Sequence, residues 1–286
     1  MRLLIFGYGF SGRALARSPA AEGWRIAATH RDAEGAARIV ADGAEPLDLA
    51  DHDGLAAALS AADALLVTAP PGPAGCPAFD ALAPLLSRQA PRPAWIGYLS
   101  TTGVYGDRRG RWVTEDSPLA AQSVEGARRV GAERDWMGLG RRQGLCVTVF
   151  RLPGIYGPGR STFDRLRAGQ AKRITSPGQV FSRIHVDDLA AGLVASIARP
   201  RAGAAYNLCD DEPAPNSQVV AHAAALLGMQ PPPEIALADA RLPPSAMRFY
   251  AESKRVSNAR AKAELGWRPT YPTYREGLAA VLKAGG

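Results

Sequence analysis

The chain has 286 residues, 47% of them hydrophobic and 21% charged, with 34 basic and 27 acidic side chains for a net charge of +7. A chain of this length buries enough surface to fold without staples, and its three cysteines, Cys76, Cys146 and Cys209, lack the paired spacing of a disulfide framework or a structural zinc site. No apolar stretch is long enough for a membrane span, and the apolar opening at 3–6 is too short for a signal peptide. We therefore expect a soluble cytoplasmic protein with no membrane partner and no metal.

Short apolar runs alternate with Ala-rich segments of helical character. The runs predict strands at 2–6, 25–29, 64–69, 94–100 and 146–152. Strands separated by helices of this length form a parallel sheet with helices on both faces. The sequence therefore predicts an α/β fold with a doubly wound parallel sheet. The proline run at 231–233 predicts a turn outside that sheet.

A glycine-rich segment, Gly-Tyr-Gly-Phe-Ser-Gly at 7–12, follows the first predicted strand and leads into the helix-like residues 13–17. In such a turn Gly7 makes the tight bend, Gly9 lets the backbone approach a diphosphate, and Gly12 lets the helix pack on the strand. The segment lies between a strand and a helix, with a second strand some 20 residues further on, and so predicts a dinucleotide site. Pro19 should end or kink the first helix early.

The end of the second predicted strand bears on which dinucleotide is bound. An acidic residue there binds the ribose hydroxyls of NAD, whereas an arginine pairs with the 2′-phosphate of NADP. Thr29 is the strand tip, and Arg31 precedes Asp32. We predict NADP as the preferred cofactor and NAD as the alternative. If NAD is the cofactor, Arg31 is a solvated charge in the loop.

Further motifs follow in chain order. They are Asp48-Leu49, Ser-Thr-Thr-Gly-Val-Tyr-Gly at 100–106, Arg-Leu-Pro-Gly-Ile-Tyr-Gly-Pro-Gly at 151–159, Arg-Ile-His-Val-Asp-Asp-Leu-Ala at 183–190, Tyr-Asn-Leu at 206–208 and the tail at 253–267. Together with the glycine segment they resemble the extended short-chain dehydrogenase/reductases, the NAD-dependent epimerase/dehydratase family. The resemblance covers nearly the whole chain.

The resemblance implies a Rossmann-like core, residues 1–155 plus 177–210, and a smaller substrate-side portion, residues 156–176 and 211–286, in one compact unit with a pocket between them. It also implies a small-molecule substrate and a tendency to form homodimers. The cofactor-binding residues that we expect on this basis are Gly7, Gly9, Phe10, Ser11, Gly12, Arg31, Asp48, Leu49, Ala69, Pro70, Arg129, Leu152 and Pro153.

The family's chemistry uses a Tyr-x-x-x-Lys pair on the helix after the fifth strand, where the spacing places both side chains on one face. Aligning Gly126 and Glu133 with the family's glycine and glutamate places Glu125 at the tyrosine position and Arg129 at the lysine position. On this alignment the usual pair is absent. Residues 250–254 match the pattern literally, but they lie some 100 residues beyond the fifth strand. We expect a helix start with an exposed Lys254 there instead.

Four residues are candidates for the chemistry. Thr101 matches the family's catalytic Ser or Thr, and its hydroxyl can polarise a carbonyl or alcohol. Tyr105 lies on the same loop and can donate a proton unless it is packed in the core. Glu125 can act as acid or base only if it is buried; the alternative is an exposed side chain paired with Arg129 at i, i+4. Arg129 cannot donate a proton near neutral pH, but it can bind ribose or phosphate oxygens.

Positive charge is concentrated at 151–183, where seven basic residues accompany Asp164 alone. Two interpretations stay open: a solvated surface, or a pocket that concentrates an anionic substrate. No aromatic ladder or recognised motif accompanies this charge, so nucleic acid is not an expected partner. His185, Asp187 and Asp188 follow closely, and a helix N-cap with a structural histidine is favoured over metal ligation.

Two functional hypotheses follow. The first is an NADP-linked oxidoreductase or epimerase, acting on a small anionic or nucleotide-linked substrate with atypical acid and base residues. The alternative is a dinucleotide-binding sensor or interaction protein without turnover, which the unusual residues Glu125 and Arg129 motivate. The fold alone does not decide between them.

Overall fold

The computed structural model of the protein describes residues 1–88 and 90–285. Its strands are β1 (Arg2–Phe6), β2 (Arg25–His30), β3 (Glu45–Asp48), β4 (Ala64–Val67), β5 (Trp95–Thr101), β6 (Trp112–Val113), β7 (Val147–Leu152), β8 (Gly154–Tyr156), β9 (Arg173–Thr175), β10 (Arg183–His185), β11 (Ala205–Asn207), β12 (Glu234–Ala236) and β13 (Arg255–Val256). Its α-helices are α1 (Phe10–Ala16), α2 (Ala33–Ala41), α3 (His52–Ala61), α4 (Pro77–Arg88), α5 (Val124–Gln143), α6 (Thr162–Arg167), α7 (Val186–Ala198), α8 (Asn216–Leu226), α9 (Pro244–Tyr250), α10 (Ala259–Leu265) and α11 (Tyr274–Lys283). Short 3-10 helical turns lie at Pro19–Ala21, Thr102–Tyr105 and Leu237–Asp239.

Seven of the strands form one parallel sheet in the order β11, β7, β5, β4, β1, β2, β3. β1 pairs with β2 on one side and with β4 on the other, so the chain winds outwards from β1 in both directions. This is the doubly wound Rossmann arrangement, and the predicted fold class is confirmed. Because the strand order reverses between β1 and β4, a crevice opens at their carboxyl ends.

The five predicted strands are confirmed as β1, β2, β4, β5 and β7, with bounds that differ by up to two residues. β3 has no apolar run, since it contains Pro46 and a single large apolar side chain, Leu47. It lies at the sheet edge, where a proline is tolerated. β4 ends at Val67, and the N–H groups of Thr68 and Ala69 both donate to the carbonyl of Phe6.

Apolar side chains alternate across the sheet and bury both faces. Leu3 and Ile5 of β1 belong to the cluster that contacts α1 and α7, whereas Leu4 and Phe6 belong to the cluster on the opposite face. A separate cluster joins α6, α8 and α11 outside the sheet. Small parallel pairs, β8 with β10, β9 with β12 and β6 with β13, connect the later segments. The proline run at 231–233 precedes β12 and lies outside the large sheet, as predicted.

A buried carboxyl group, that of Asp210, follows the short strand β11. Its backbone N–H donates to the Arg183 carbonyl at 2.7 Å. Both carboxyl oxygens are buried and have no hydrogen-bond partner in the part of the chain that the structure describes. Burial raises the pKa of Asp210 to about 8, although the nearby guanidinium of Arg183 acts in the opposite direction.

Asp210 therefore makes stability depend on pH. Because the pKa is raised from 3.8 in the unfolded chain to about 8 in the folded one, the folded state favours the protonated form. Stability is then lost as pH rises through this window. We expect Asp210→Asn to match the wild type near pH 4 and to exceed it in Tm by a margin that grows up to pH 8. Thermal unfolding of both proteins across this range measures the difference, and the exposed Asp239→Asn is the control. A margin that does not change with pH would contradict this assignment.

Candidate functional site

The glycine turn after β1 is held by hydrogen bonds from two sides. Gly7 has φ +95°, and a Cβ there would lie 2.9 Å from the Ala69 nitrogen, so no other residue fits without strain. The N–H of Gly7 donates to Thr29 Oγ1 at 2.9 Å, and its carbonyl accepts from Thr68 Oγ1 at 2.6 Å. The turn is therefore fixed by hydroxyls at the ends of its two neighbouring strands. Sequence reasoning missed both of these contacts.

The other two glycines differ in their surroundings. A Cβ on Gly12 would lie 3.2 Å from the Gly7 carbonyl oxygen and from Ile5 Cγ2, so this glycine lets α1 pack on β1. A Cβ on Gly9 would meet nothing within 4 Å, so the backbone there borders open space. Gly7 and Gly12 thus lie where a side chain would clash, and the approach of a diphosphate to Gly9 stays a prediction. α1 begins at Phe10, earlier than predicted, and ends at Ala16, before Pro19.

A cleft of about 300 Å³ opens beside this turn. Its lining includes Gly9, Phe10, Ser11, Thr101, Arg129, Leu152 and Pro153, which are predicted site residues, and also Thr68, Leu99, Ser100, Ile155 and Arg160, which are not. The crevice expected from the strand order thus joins the glycine turn, the end of β5, the helix α5 and the segment after β7.

The predicted residues at the ends of β2 and β3 lie together outside the cleft. His30 is paired in register with Asp48, and the N–H of Leu49 donates to the His30 carbonyl at 3.1 Å. Asp32 caps α2 by accepting from the Gly35 N–H at 2.7 Å, and Asp48 accepts from the Ala50 N–H at 2.9 Å. Arg31 is exposed and forms no ion pair within residues 1–88 and 90–285.

Ala69 and Pro70, the remaining predicted cofactor residues, follow β4. Ala69 packs against Gly7 and is half-buried. Pro70 is exposed one residue further along the same loop.

Thr101 ends β5 at the cleft. It is half-buried, and its Oγ1 accepts from the Gly103 N–H at 3.1 Å. This contact uses an oxygen lone pair and leaves the hydroxyl hydrogen of Thr101 free for another acceptor. Ser100, one residue earlier, also lines the cleft, but its hydroxyl donates to Glu133 Oε1 at 2.5 Å.

Arg129 enters the cleft from α5. Its guanidinium donates to the Leu99 carbonyl and lies 5.8 Å from the centre of the Tyr98 ring. The expected ion pair between Glu125 and Arg129 is wrong. Glu125 is exposed and pairs with Arg248 Nη1 of α9 at 2.6 Å, because α9 approaches the first turn of α5.

Tyr105 does not reach the cleft. It is fully buried, its hydroxyl donates to Asn207 Oδ1 at 2.8 Å, and the same oxygen accepts from Arg151 Nη1 at 3.0 Å. Burial raises the pKa of Tyr105 to about 12, although Arg151 opposes the rise. This placement argues against the proton-donating role expected from the sequence and favours the packing alternative.

A buried ion pair lies behind the cleft. Arg151 Nη2 is 2.9 Å from Glu133 Oε2, and both side chains are less than a tenth exposed. Sequence reasoning aligned Glu133 but missed its partner, which is 18 residues away in the chain. The pair connects α5 to β7, the two elements that carry Arg129 and Leu152 into the cleft.

The literal Tyr-x-x-x-Lys pattern belongs elsewhere in the fold. Tyr250 ends α9 and packs edge-on against Phe181 at 5.4 Å between ring centres. The prediction of a helix start with an exposed lysine is wrong here. Lys254 is buried beyond the helix end, and its Nζ lies 2.5 Å from Glu252 Oε2.

The basic residues at 151–183 differ in their surroundings. Arg151 and Arg173 are paired with Glu133 and Glu234. Arg183 is half-buried and donates to the Phe181 carbonyl at 2.8 Å. Arg160 lines the cleft. The segment is therefore neither one solvated face nor one pocket, and only Arg160 brings its charge to the cleft.

His185 is the N-cap of α7, as expected, and its Nδ1 accepts from the Asp187 N–H at 3.3 Å. Asp188 accepts from the N–H groups of Thr270 and Tyr271 at 2.6 and 3.1 Å.

Among the helices that the structure describes, none is both long enough and apolar enough to cross a membrane.

This chain is similar to one family model, two curated proteins and one solved structure. The family model described as "NAD dependent epimerase/dehydratase family" matches residues 82–209. Protein YeeZ of Escherichia coli (strain K12) is 32% identical over 243 residues, which cover 81% of this chain and 85% of that protein. The 3-diazoavenalumate denitrifying reductase of a Streptomyces species is 32% identical over 177 residues, 57% of each chain. A solved structure of a functionally unknown conserved protein from Silicibacter pomeroyi DSS is 46% identical, with a TM-score of 0.91 over 99% of this chain and 98% of that one.

Proposed function

We propose that this chain, which belongs to the NAD-dependent epimerase/dehydratase family, is an NADP-linked oxidoreductase or epimerase that acts on a small anionic or nucleotide-linked substrate. The observation that carries the proposal is the cleft, in which the glycine turn, Thr101 and Arg129 meet. A reductase among the similar proteins supports the oxidoreductase alternative.

The turn residues fit a dinucleotide. The open space over Gly9 admits a diphosphate close to the backbone, and the hydroxyls of Thr29 and Thr68 hold Gly7 in the conformation that presents this backbone. Leu152, Pro153 and Arg129 would hold the other half of the molecule at the far end of the cleft. When bound, the nicotinamide accepts or donates the hydride.

The preference for NADP is supported by the end of β2. The residue nearest the glycine turn is Thr29, whose hydroxyl is already used by Gly7. The carboxylate of Asp32 accepts from a backbone N–H of α2, while the exposed Arg31 is without an acidic partner in the described part of the chain. A free guanidinium in this place suits a 2′-phosphate.

Replacing Arg31 tests this preference. We expect Arg31→Ala to weaken NADPH binding by about 10- to 100-fold, the range of one or two charge-assisted hydrogen bonds, and to leave NADH binding nearly unchanged. Calorimetric titration of both proteins with both dinucleotides measures the change. Arg38→Ala on the exposed face of α2 is the matched control. Equal weakening of NADPH and NADH would show that Arg31 does not read the 2′-phosphate.

Thr101 and Arg129 have different roles in the proposed reaction. The Thr101 hydroxyl, with its hydrogen free, donates to the substrate oxygen that gains or loses the proton. Arg129 stays charged and binds ribose or phosphate oxygens. The pairing of Glu125 with Arg248 keeps that carboxylate outside the cleft lining, so we give it no step in the reaction.

We also propose the division of the chain into a core, residues 1–155 plus 177–210, and a substrate-side portion. The separate apolar cluster of α6, α8 and α11 supports it, because most of its members come from residues 156–176 and 211–286. The substrate would then lie between this portion and the sheet.

One observation favours the sensor alternative. α5 contains neither tyrosine nor lysine, and its Glu125 is held by α9. A chain that binds NADPH, but that neither oxidises it with any member of a carbonyl panel nor reduces NADP⁺ with any member of an alcohol panel, would support this second function.

A further inference from the structure

The segment after β8 forms a tight turn at residues 157–160. The N–H of Gly157 donates to the Arg160 carbonyl at 3.1 Å, and the N–H of Arg160 donates back to the Gly157 carbonyl at 3.0 Å. Pro158 occupies the second position, and Gly159 has φ +74° in the third, as a type II turn requires. The backbone of Arg160 is therefore fixed before any ligand arrives.

This turn packs on the glycine turn of the sheet. The Arg160 Cζ lies 5.4 Å from the centre of the Phe10 ring. A Cβ on Gly157 would lie 3.3 Å from Phe10 Cζ, so the ring also contacts the turn backbone. Phe10 lies between Gly9 and Ser11, and all three line the cleft together with Arg160. The guanidinium is therefore located at the glycine-turn end of the cleft.

The guanidinium of Arg160 forms no ion pair among the residues that the structure describes. Within residues 1–88 and 90–285 no carboxylate lies within 4.0 Å of its guanidinium. Arg151 and Arg173 of the same basic segment, in contrast, each pair with a glutamate. A guanidinium that lines a cleft and forms no ion pair among the described residues is suited to a phosphate, which it binds through two parallel hydrogen bonds.

We propose that Arg160, a residue of the substrate-side portion, binds the diphosphate of the dinucleotide from the side of the cleft opposite the glycine backbone. This inference rests on the proposed function. The diphosphate is favoured over an anionic substrate because Arg160 stacks on Phe10, inside the glycine segment, whereas Thr101 and Arg129 come from β5 and α5.

Three probes separate the possible contacts of Arg160: NADPH, 2′-phospho-ADP-ribose, which keeps the diphosphate but lacks nicotinamide, and 2′-AMP, which lacks the diphosphate. We expect Arg160→Ala to weaken the first two by an equal factor of about 10 to 100 and to leave 2′-AMP unchanged. Arg160→Lys should recover part of the loss, because it restores the charge without the planar fork. Arg165→Ala, which removes an exposed charge from the neighbouring helix α6, should change none of the three affinities by more than about twofold.

Two results would overturn the inference while the proposed function stands. In the first, Arg160→Ala binds NADPH and 2′-phospho-ADP-ribose as the wild type does. In the second, dinucleotide affinity is unchanged but kcat/KM for the carbonyl substrates falls, which would assign Arg160 to the anion of the substrate. A wild-type chain that binds neither NADPH nor NADH would instead overturn the proposed function, and this inference with it.

Discussion

A Thr101→Val protein is expected to bind NADPH as tightly as the wild type and to transfer hydride about 100- to 10,000-fold more slowly, the usual contribution of a positioned proton donor. Valine keeps the branched shape of threonine and fills the same half-buried place at the end of β5. Only the hydroxyl is lost, and with it the proposed hydrogen-bond donor to the substrate. We therefore expect this variant to keep its affinity for NADPH and to lose most of its rate of hydride transfer.

The measurement is NADPH consumption with a panel of carbonyl compounds, alongside calorimetric affinity for NADPH. Thr102→Val is the matched control, because Thr102 is the next residue and is absent from the cleft lining. Its rate should match that of the wild type. Turnover that survives Thr101→Val unchanged would remove Thr101 from the proposed reaction. A large loss of NADPH affinity would show that the hydroxyl holds the cofactor instead.

Arg151→Met is expected to lower the free energy of unfolding by about 3–5 kcal/mol, because it leaves the Glu133 carboxylate buried without its cation. The two side chains are 8% and 5% exposed, so water cannot replace the lost partner. Arg151 also donates to the Tyr105 hydroxyl and to the Glu115 carbonyl, which lose these hydrogen bonds as well. The effect is on stability, since none of these groups lines the cleft.

Chemical denaturation of Arg151→Met, Glu133→Gln and the double variant measures this pair. The double variant should be more stable than Arg151→Met alone, because it no longer buries an unpaired charge. Arg134→Met, which breaks an exposed pair with Asp135, should change stability by no more than about 1 kcal/mol. If Arg151→Met costs as little as this control, the buried pair does not hold α5 against β7.

The parallel sheet and the glycine turn could be predicted from the sequence because both depend on local patterns. The apolar runs of β1 and β4 are bounded by turn residues, and Gly7, Gly9 and Gly12 have roles that follow from their spacing alone. Thr101 follows from a motif at the end of a strand. β3 was harder to recognise as a strand because its residues are mostly polar or proline and need no apolar alternation at the sheet edge.

The errors concern side chains whose partners are distant in the chain. Glu125 has Arg129 within one helical turn, but it pairs with Arg248, 123 residues away. Tyr105 belongs to the same motif as Thr101, and the sequence left a proton donor and a packed side chain as alternatives; only its hydrogen bond to Asn207, 102 residues away, favours packing. In the sequence, Arg160 is one of seven basic residues at 151–183. Its position over the Phe10 ring depends on the turn at 157–160. Helical spacing and charge counts do not contain this information.

Calorimetric titration of the ligand-stripped wild type with NADPH and NADH in parallel tests most directly whether the cleft holds a nicotinamide dinucleotide. We expect micromolar binding of NADPH, much weaker binding of NADH, and no binding of either by Gly9→Val, whose added side chain would occupy the open space beside the turn. A folded wild-type chain that binds neither dinucleotide would contradict the proposed cofactor site.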